Sequence, residues 1–162
     1  MTGRIAKLPD VGWILRPLTE IPGVRHAIVV SEDGLRLGHA SAKDLTGPVA
    51  ALGLGEAESL AAACAALAMT GRSTTELLFG GGGRVRQLML EAADGFVLLT
   101  GTSFGGQLAV ATAPNADVGL VAQQMQLLVV RIGAHLGSPP RSEDGEDGDE
   151  GAPPADSAAP AP

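Results

Sequence analysis

Gly101-Thr-Ser-Phe-Gly105 fits G-x-S-x-G, the pattern in which a strained strand-to-helix turn presents a serine for nucleophilic attack. Asp117 and His135 even follow in the order Ser…Asp…His used by hydrolases of that kind. The surrounding pattern does not supply the geometry. A further strand, rather than a helix, is predicted after Ser103, and Asp117 and His135 fall on one predicted helix, about five turns or roughly 27 Å apart. Two groups so separated cannot flank one serine. An esterase at Ser103 is therefore the weakest of three readings, and a serine-directed covalent probe tests it.

Other chemistry-bearing residues are no better assembled. Phe79-Gly-Gly-Gly-Gly-Arg84 lacks both the Gly-Lys-Ser/Thr and the following helix of a phosphate-cradling loop, so it reads as a connector. His26, His39, His135 and the single Cys64 show no metal-ligand spacing, and one cysteine cannot form an internal disulfide. Arg84 and Arg86, with Arg72 on the preceding helix, are the one basic grouping. Arginine is enriched at interfaces, so Arg72, Glu76, Arg84 and Arg86 are candidate partner contacts. No nucleophile, base and oxyanion site come together. Neither an enzymatic activity nor a cofactor is expected.

Charge divides the chain. Residues 138–162 hold seven acids and one base, six of the acids between Glu143 and Glu150, and no aliphatic residue larger than alanine. Such a segment cannot bury enough surface to offset its ordering entropy, so a disordered acidic Pro/Ala-rich tail is expected there. Residues 1–137 hold eleven acids and ten bases, a nearly neutral unit long enough for one domain. With one Trp, three Phe and no Tyr, it lacks both the basic funnel and the stacking platforms of nucleic-acid binders. The longest apolar run, Leu60 to Met69, is ten residues, against the ~20 needed to span a bilayer. Met1 to Trp13 has no apolar core of a secretory signal. A cytoplasmic protein is expected, reaching membranes only through partners.

The elements that must position these residues follow from periodicity. Asp10–Glu20 predicts a short helix with Asp10 as cap, Trp13, Ile14 and Leu18 as its apolar stripe, and a kink or restart at Pro17. A β-hairpin follows, its first strand placing Val24, His26, Ile28 and Val30 on one face and Arg25, Ala27, Val29 and Ser31 on the other. Glu32-Asp33-Gly34 makes the turn into an edge strand from Leu35 to about Ala40. Residues 41–55 predict a loop, and Glu56 to about Leu78 a long helix with small residues on two faces. Leu60, Cys64, Leu67 and Gly71 lie on one of those faces and Ala61, Ala65, Ala68 and Arg72 on the other. Strands are predicted at Val85–Ala92, Phe96–Thr100 and Gln107–Ala113, the first pair joined by Asp94-Gly95. A last helix is capped by Asn115 or Asp117, with Val118, Val121, Met125, Leu128, Ile132 and Leu136 as its stripe. The order α-β-β-α-β-β-β-α predicts an α+β domain: a five-stranded antiparallel sheet between helices.

Trp13-Ile-Leu15, the Ile21-Pro-Gly-Val-Arg-His-Ala…Ser-Glu-Asp-Gly-Leu35 hairpin, the alanine-rich helix, Val85-Arg-Gln-Leu88 and Ala116-Asp-Val-Gly-Leu-Val-Ala122 occur in an order that resembles the roadblock (dynein light chain roadblock) family, especially its actinobacterial members. The resemblance spans about residues 10–137. It implies a profilin-like α/β/α sandwich, with the first and last helices on one face of the sheet and the middle helix on the other. It also implies a homodimer joining middle helices and third strands into one continuous sheet, through Leu60, Cys64, Leu67, Gly71, Val85, Gln87 and Met89. Bacterial relatives bind small Ras-like GTPases, and some stimulate GTP hydrolysis by rearranging the GTPase. The resemblance therefore implies a dimeric regulator or scaffold of such a GTPase, with a sensor-kinase-like protein of the same operon as a further partner. Pro17 and the long segment 41–55 depart from the family pattern. The alternative is a PAS- or profilin-like small-molecule sensor, which the scarcity of aromatic residues disfavours.

Overall fold

The computed structural model describes residues 10–47 and 50–136. The acidic segment 138–162 and Pro48 lie outside them. A 3-10 turn, Gly12–Leu15, opens the described chain, and a single turn of helix, α1 (Arg16–Thr19), continues it. Pro17 sits in the first turn of α1, where its missing N–H costs no hydrogen bond, so the expected restart is what forms. Asp10 begins the turn by accepting the Gly12 N–H at 2.9 Å. Trp13 does not join the stripe expected of it. The tighter 3-10 turn rotates it out to 57% exposure, while Val11, Ile14, Leu15 and Leu18 are buried.

The hairpin comprises β1 (Val24–Val30) and β2 (Arg36–Ser41). Helix α2 (Leu54–Phe79) follows, then β3 (Gln87–Ala92), β4 (Gly95–Gly101), β5 (Gln107–Thr112) and α3 (Val118–Leu136). The five strands form one antiparallel sheet in the order β2-β1-β5-β4-β3. Val85 thus precedes the third strand instead of opening it. Capping matches the residues present. Glu56 reaches back to the Gly53 N–H at 2.9 Å to start α2, and Asp117 accepts the Leu120 N–H at 3.0 Å to start α3. Gly80, at φ 67°, ends α2 with its N–H on the Glu76 carbonyl.

The α/β/α layering follows from the alternation in β1. Ala27 and Val29 enter one core with Leu98, Leu108 and Val110 under the 3-10 turn, α1 and α3. Ile28 and Val30 enter the other with Leu99 and Ala109 under Ala57, Ala61 and Cys64 of α2. Val24, predicted on the same face as Ile28 and Val30, packs in the first core instead. A register shift between Val24 and His26 against β5 turns it over. Edge strand β2 is partly covered, because Val11 donates its N–H to the Leu37 carbonyl at 2.9 Å. Edge strand β3 has no neighbour on its outer side among the described residues.

Candidate protein-binding face

Helix α2 decides which residues can meet a partner. With 3.6 residues per turn, Ala57, Ala61, Cys64, Ala68 and Gly71 share the side that lies on the sheet. Cys64 is 1% exposed, and Leu60 and Leu67 pack against the same core. A Cβ on Gly71 would stand 3.5 Å from Leu88 Cδ1 and 3.6 Å from Val85 Cγ2, so this glycine too looks inward. Leu60, Cys64, Leu67 and Gly71, expected at a dimer surface, thus face their own sheet. The two faces of α2 are nearly equal in apolar content, so periodicity alone could not rank them. Cys64 is no nucleophile either: burial pushes its thiol up to about 11, which leaves it protonated at neutral pH.

The opposite side of α2 carries Ala62, Ala66, Met69, Ser73 and Leu77, all exposed, with Met69 at 70% and Leu77 at 87%. Leu78 and Phe79 extend this surface past the end of the sheet. Sequence reasoning missed these residues, because an alanine-rich helix with small residues on several faces gives no periodic signal that ranks one face above another. Strand β3 is the open edge of the sheet, and Gln87 and Met89 are exposed on its α3-side face, since Met89 pairs with Leu98. An exposed row of large apolar side chains and an unpaired strand edge are each suited to association. Arg72, Glu76, Arg84 and Arg86 are exposed as well.

The hydrolase-like residues remain apart. Ser103 lies in the β4–β5 turn, closed by Thr102 N–H donating to the Gly106 carbonyl at 2.9 Å. Asp117 caps α3, and His135 meets the Trp13 ring edge-on, with centroids 5.6 Å apart. Among the described residues no group of three or more His, Cys, Asp or Glu could hold a metal, and no helix is long and apolar enough to cross a membrane.

His26 and His39 serve structure. Ser41 Oγ accepts the Leu52 N–H at 3.2 Å and is hydrogen-bonded to His26 Nδ1 at 2.9 Å. His39 Nε2 donates to the Leu52 carbonyl at 3.3 Å. Together they tie the approach to α2 onto the hairpin. Burial lowers the His26 pKa from 6.5, and the neighbouring Arg25 charge adds to the effect. The unfolded chain therefore takes up this proton first as pH falls. His26's contribution is intact above about pH 6.5 and is lost progressively below it until the folded imidazole also protonates. The urea midpoint should fall between pH 7.5 and 5.5, and fall less in His26→Gln.

A five-stranded antiparallel sheet layered between α2 on one face and α1 and α3 on the other, with α2 and the β3 edge exposed, defines the class of fold. The Roadblock/LC7 domain profile matches residues 11–112, and the chain belongs to that family. A Roadblock/LC7 domain from Streptomyces avermitilis is 27% identical, covering 80% of this chain and 99% of its own, with a TM-score of 0.69. A second structure of a Roadblock/LC7 domain from the same organism is 32% identical over 74% of this chain and 95% of its own, with a TM-score of 0.53. Myxococcus xanthus MglB shares the fold at 14% identity, covering 85% of this chain and all of its own, with a TM-score of 0.65. No curated protein sequence gives a match.

Proposed function

We propose that this chain is a non-enzymatic regulator of a small Ras-like GTPase, acting as a homodimer. The observation that carries the reading is the exposed apolar face of α2. Pairing two copies through it would cover Met69 and Leu77, and pairing along the open edge of β3 would extend two five-stranded sheets into one. Arg72, Glu76, Arg84 and Arg86 would stand at the margin of the paired helices, where charged groups steer a partner's approach. A sensor-kinase-like protein of the same operon is a further partner. The fold likeness to MglB and the membership of the Roadblock/LC7 family support this assignment.

The test uses the purified full chain with small Ras-like GTPases from the same source, each loaded in turn with GDP and a non-hydrolysable GTP analogue. Calorimetry should detect a complex with a preferred nucleotide state, and single-turnover hydrolysis should separate an activator from a scaffold. No complex in either state, together with unchanged turnover, would remove the assignment.

A further inference from the structure

We propose that the sheet end formed around Arg84, Thr102 and Ser103 is a binding site for the phosphate of a small phosphorylated metabolite. Gly80 to Gly83 all have positive φ, at 67°, 75°, 85° and 57°, and turn the chain back onto α2. A Cβ on Gly83 would strike the Arg72 carbonyl, so only glycine allows this close return. The result sets Arg84 and Arg72 along one cleft of about 240 Å³ beneath the C-terminal half of α2. Around the edge of the sheet a wider opening of about 720 Å³ shares Arg84, Thr102 and Ser103 and adds Arg86 and Thr100. No Asp or Glu lines either one.

Two independent features point to an anion. The one ion pair among the described residues joins Arg36 to Asp10, so Arg72, Arg84 and Arg86 carry no carboxylate. The hydroxyls of Thr100 and Thr102 are buried without a hydrogen-bond partner among the described residues, and Thr100 is only 2% exposed. Native proteins seldom leave such groups unsatisfied, and Thr102, which lines both openings with Arg84, would on turning its hydroxyl outward donate to the same oxyanion as that guanidinium. A phosphate monoester offers three acceptor oxygens and nearly two charges, a better match to guanidinium forks and hydroxyls than a two-oxygen carboxylate. The inner cleft is smaller than the ~300–1,000 Å³ of drug-sized sites, which favours a phosphate on a stem of a few carbons over a nucleotide. Glu32 beside Gly105 and Glu76 beside Gly83 stand at the margins, where they disfavour long polyanions.

Isothermal titration of the full chain with glycerol 3-phosphate, inorganic phosphate and glycerol, at matched ionic strength, tests the site without any GTPase, so its outcome is separate from that assignment. Both phosphates should bind saturably and more tightly at pH 7.5 than at 5.5, since the second ionisation lies near pH 6. Binding of inorganic phosphate alone would place the site's ligand as the free ion and overturn the metabolite. Arg84→Gln should weaken glycerol 3-phosphate about tenfold or more. Thr102→Val should weaken it less, and Arg16→Gln, on the far side of the fold, should leave it unchanged. Each variant's circular dichroism spectrum must match the parent's. Glycerol 3-phosphate giving no saturable heat at millimolar concentration, or equal affinity in Arg84→Gln and Arg16→Gln, overturns the proposal.

Discussion

A chain carrying Met69→Glu and Leu77→Glu is expected to elute as a folded monomer where the parent elutes as a dimer. Met69 and Leu77 lie two turns apart on the outward side of α2, and neither supports its own chain's core. In the single chain both glutamates would stay hydrated, so the monomer fold should tolerate them. In a paired helix face each would become a buried charge without a partner, at about 3–5 kcal/mol apiece. Two such terms weaken association by at least about a thousandfold, which multi-angle light scattering at micromolar concentration resolves. Cys64→Ala and Leu67→Ala provide the contrast, because both residues look into their own sheet. They should lower stability while leaving the dimer intact. A parent that is itself monomeric, or a double variant that remains dimeric, would place the association surface elsewhere.

Leu98→Ala should cost about 2–5 kcal/mol, a large share of the 5–15 kcal/mol typical of a whole domain. Leu98 is fully buried in the centre of β4, opposite Met89 on β3 and Val110 on β5, under α3. Close neighbours from several elements prevent the site from collapsing around the missing atoms, so the cavity term adds to the lost burial. Leu127→Ala, on the exposed side of α3, should change stability by less than about 0.5 kcal/mol. Urea midpoints of the two variants measure the difference. A small effect at Leu98 would mean that the sheet and α3 do not share the core described above.

Much of the architecture was legible because its signals are local. Asp94-Gly95 dictated a tight hairpin, and the unbroken stripe from Val118 to Leu136 dictated a helix with one buried side. The double-sided apolar pattern of β1 required cover on both faces of the sheet, and the two cores supply it. Pro17 marked the restart between the 3-10 turn and α1. The misreadings have physical causes of the same scale. Trp13 was rotated outward by a tighter helix period, and Val24 was turned over by a bulge that no local residue announces.

The candidate site was much less legible. Glycine spacing made Ser103 resemble a nucleophile, yet Asp117 caps its own helix and His135 meets the Trp13 ring. Arg72, Arg84 and Arg86 were visible as a basic group, but their freedom from ion pairs among the described residues and the two unpartnered threonine hydroxyls were not. Those facts depend on which side chains of α2, β4 and the glycine connector come together across the end of the sheet.

By itself, then, the sequence determined the order of elements, the antiparallel sheet and the two-sided core, because periodicity, capping and turn chemistry act over a few residues. Only the tertiary structure decided that Cys64 and Gly71 face inward while Met69 and Leu77 face out. An alanine-rich helix has nearly the same apolar content all round, so its orientation is set by which side fits the sheet. That fit depends on shape contributed by residues distant in the chain.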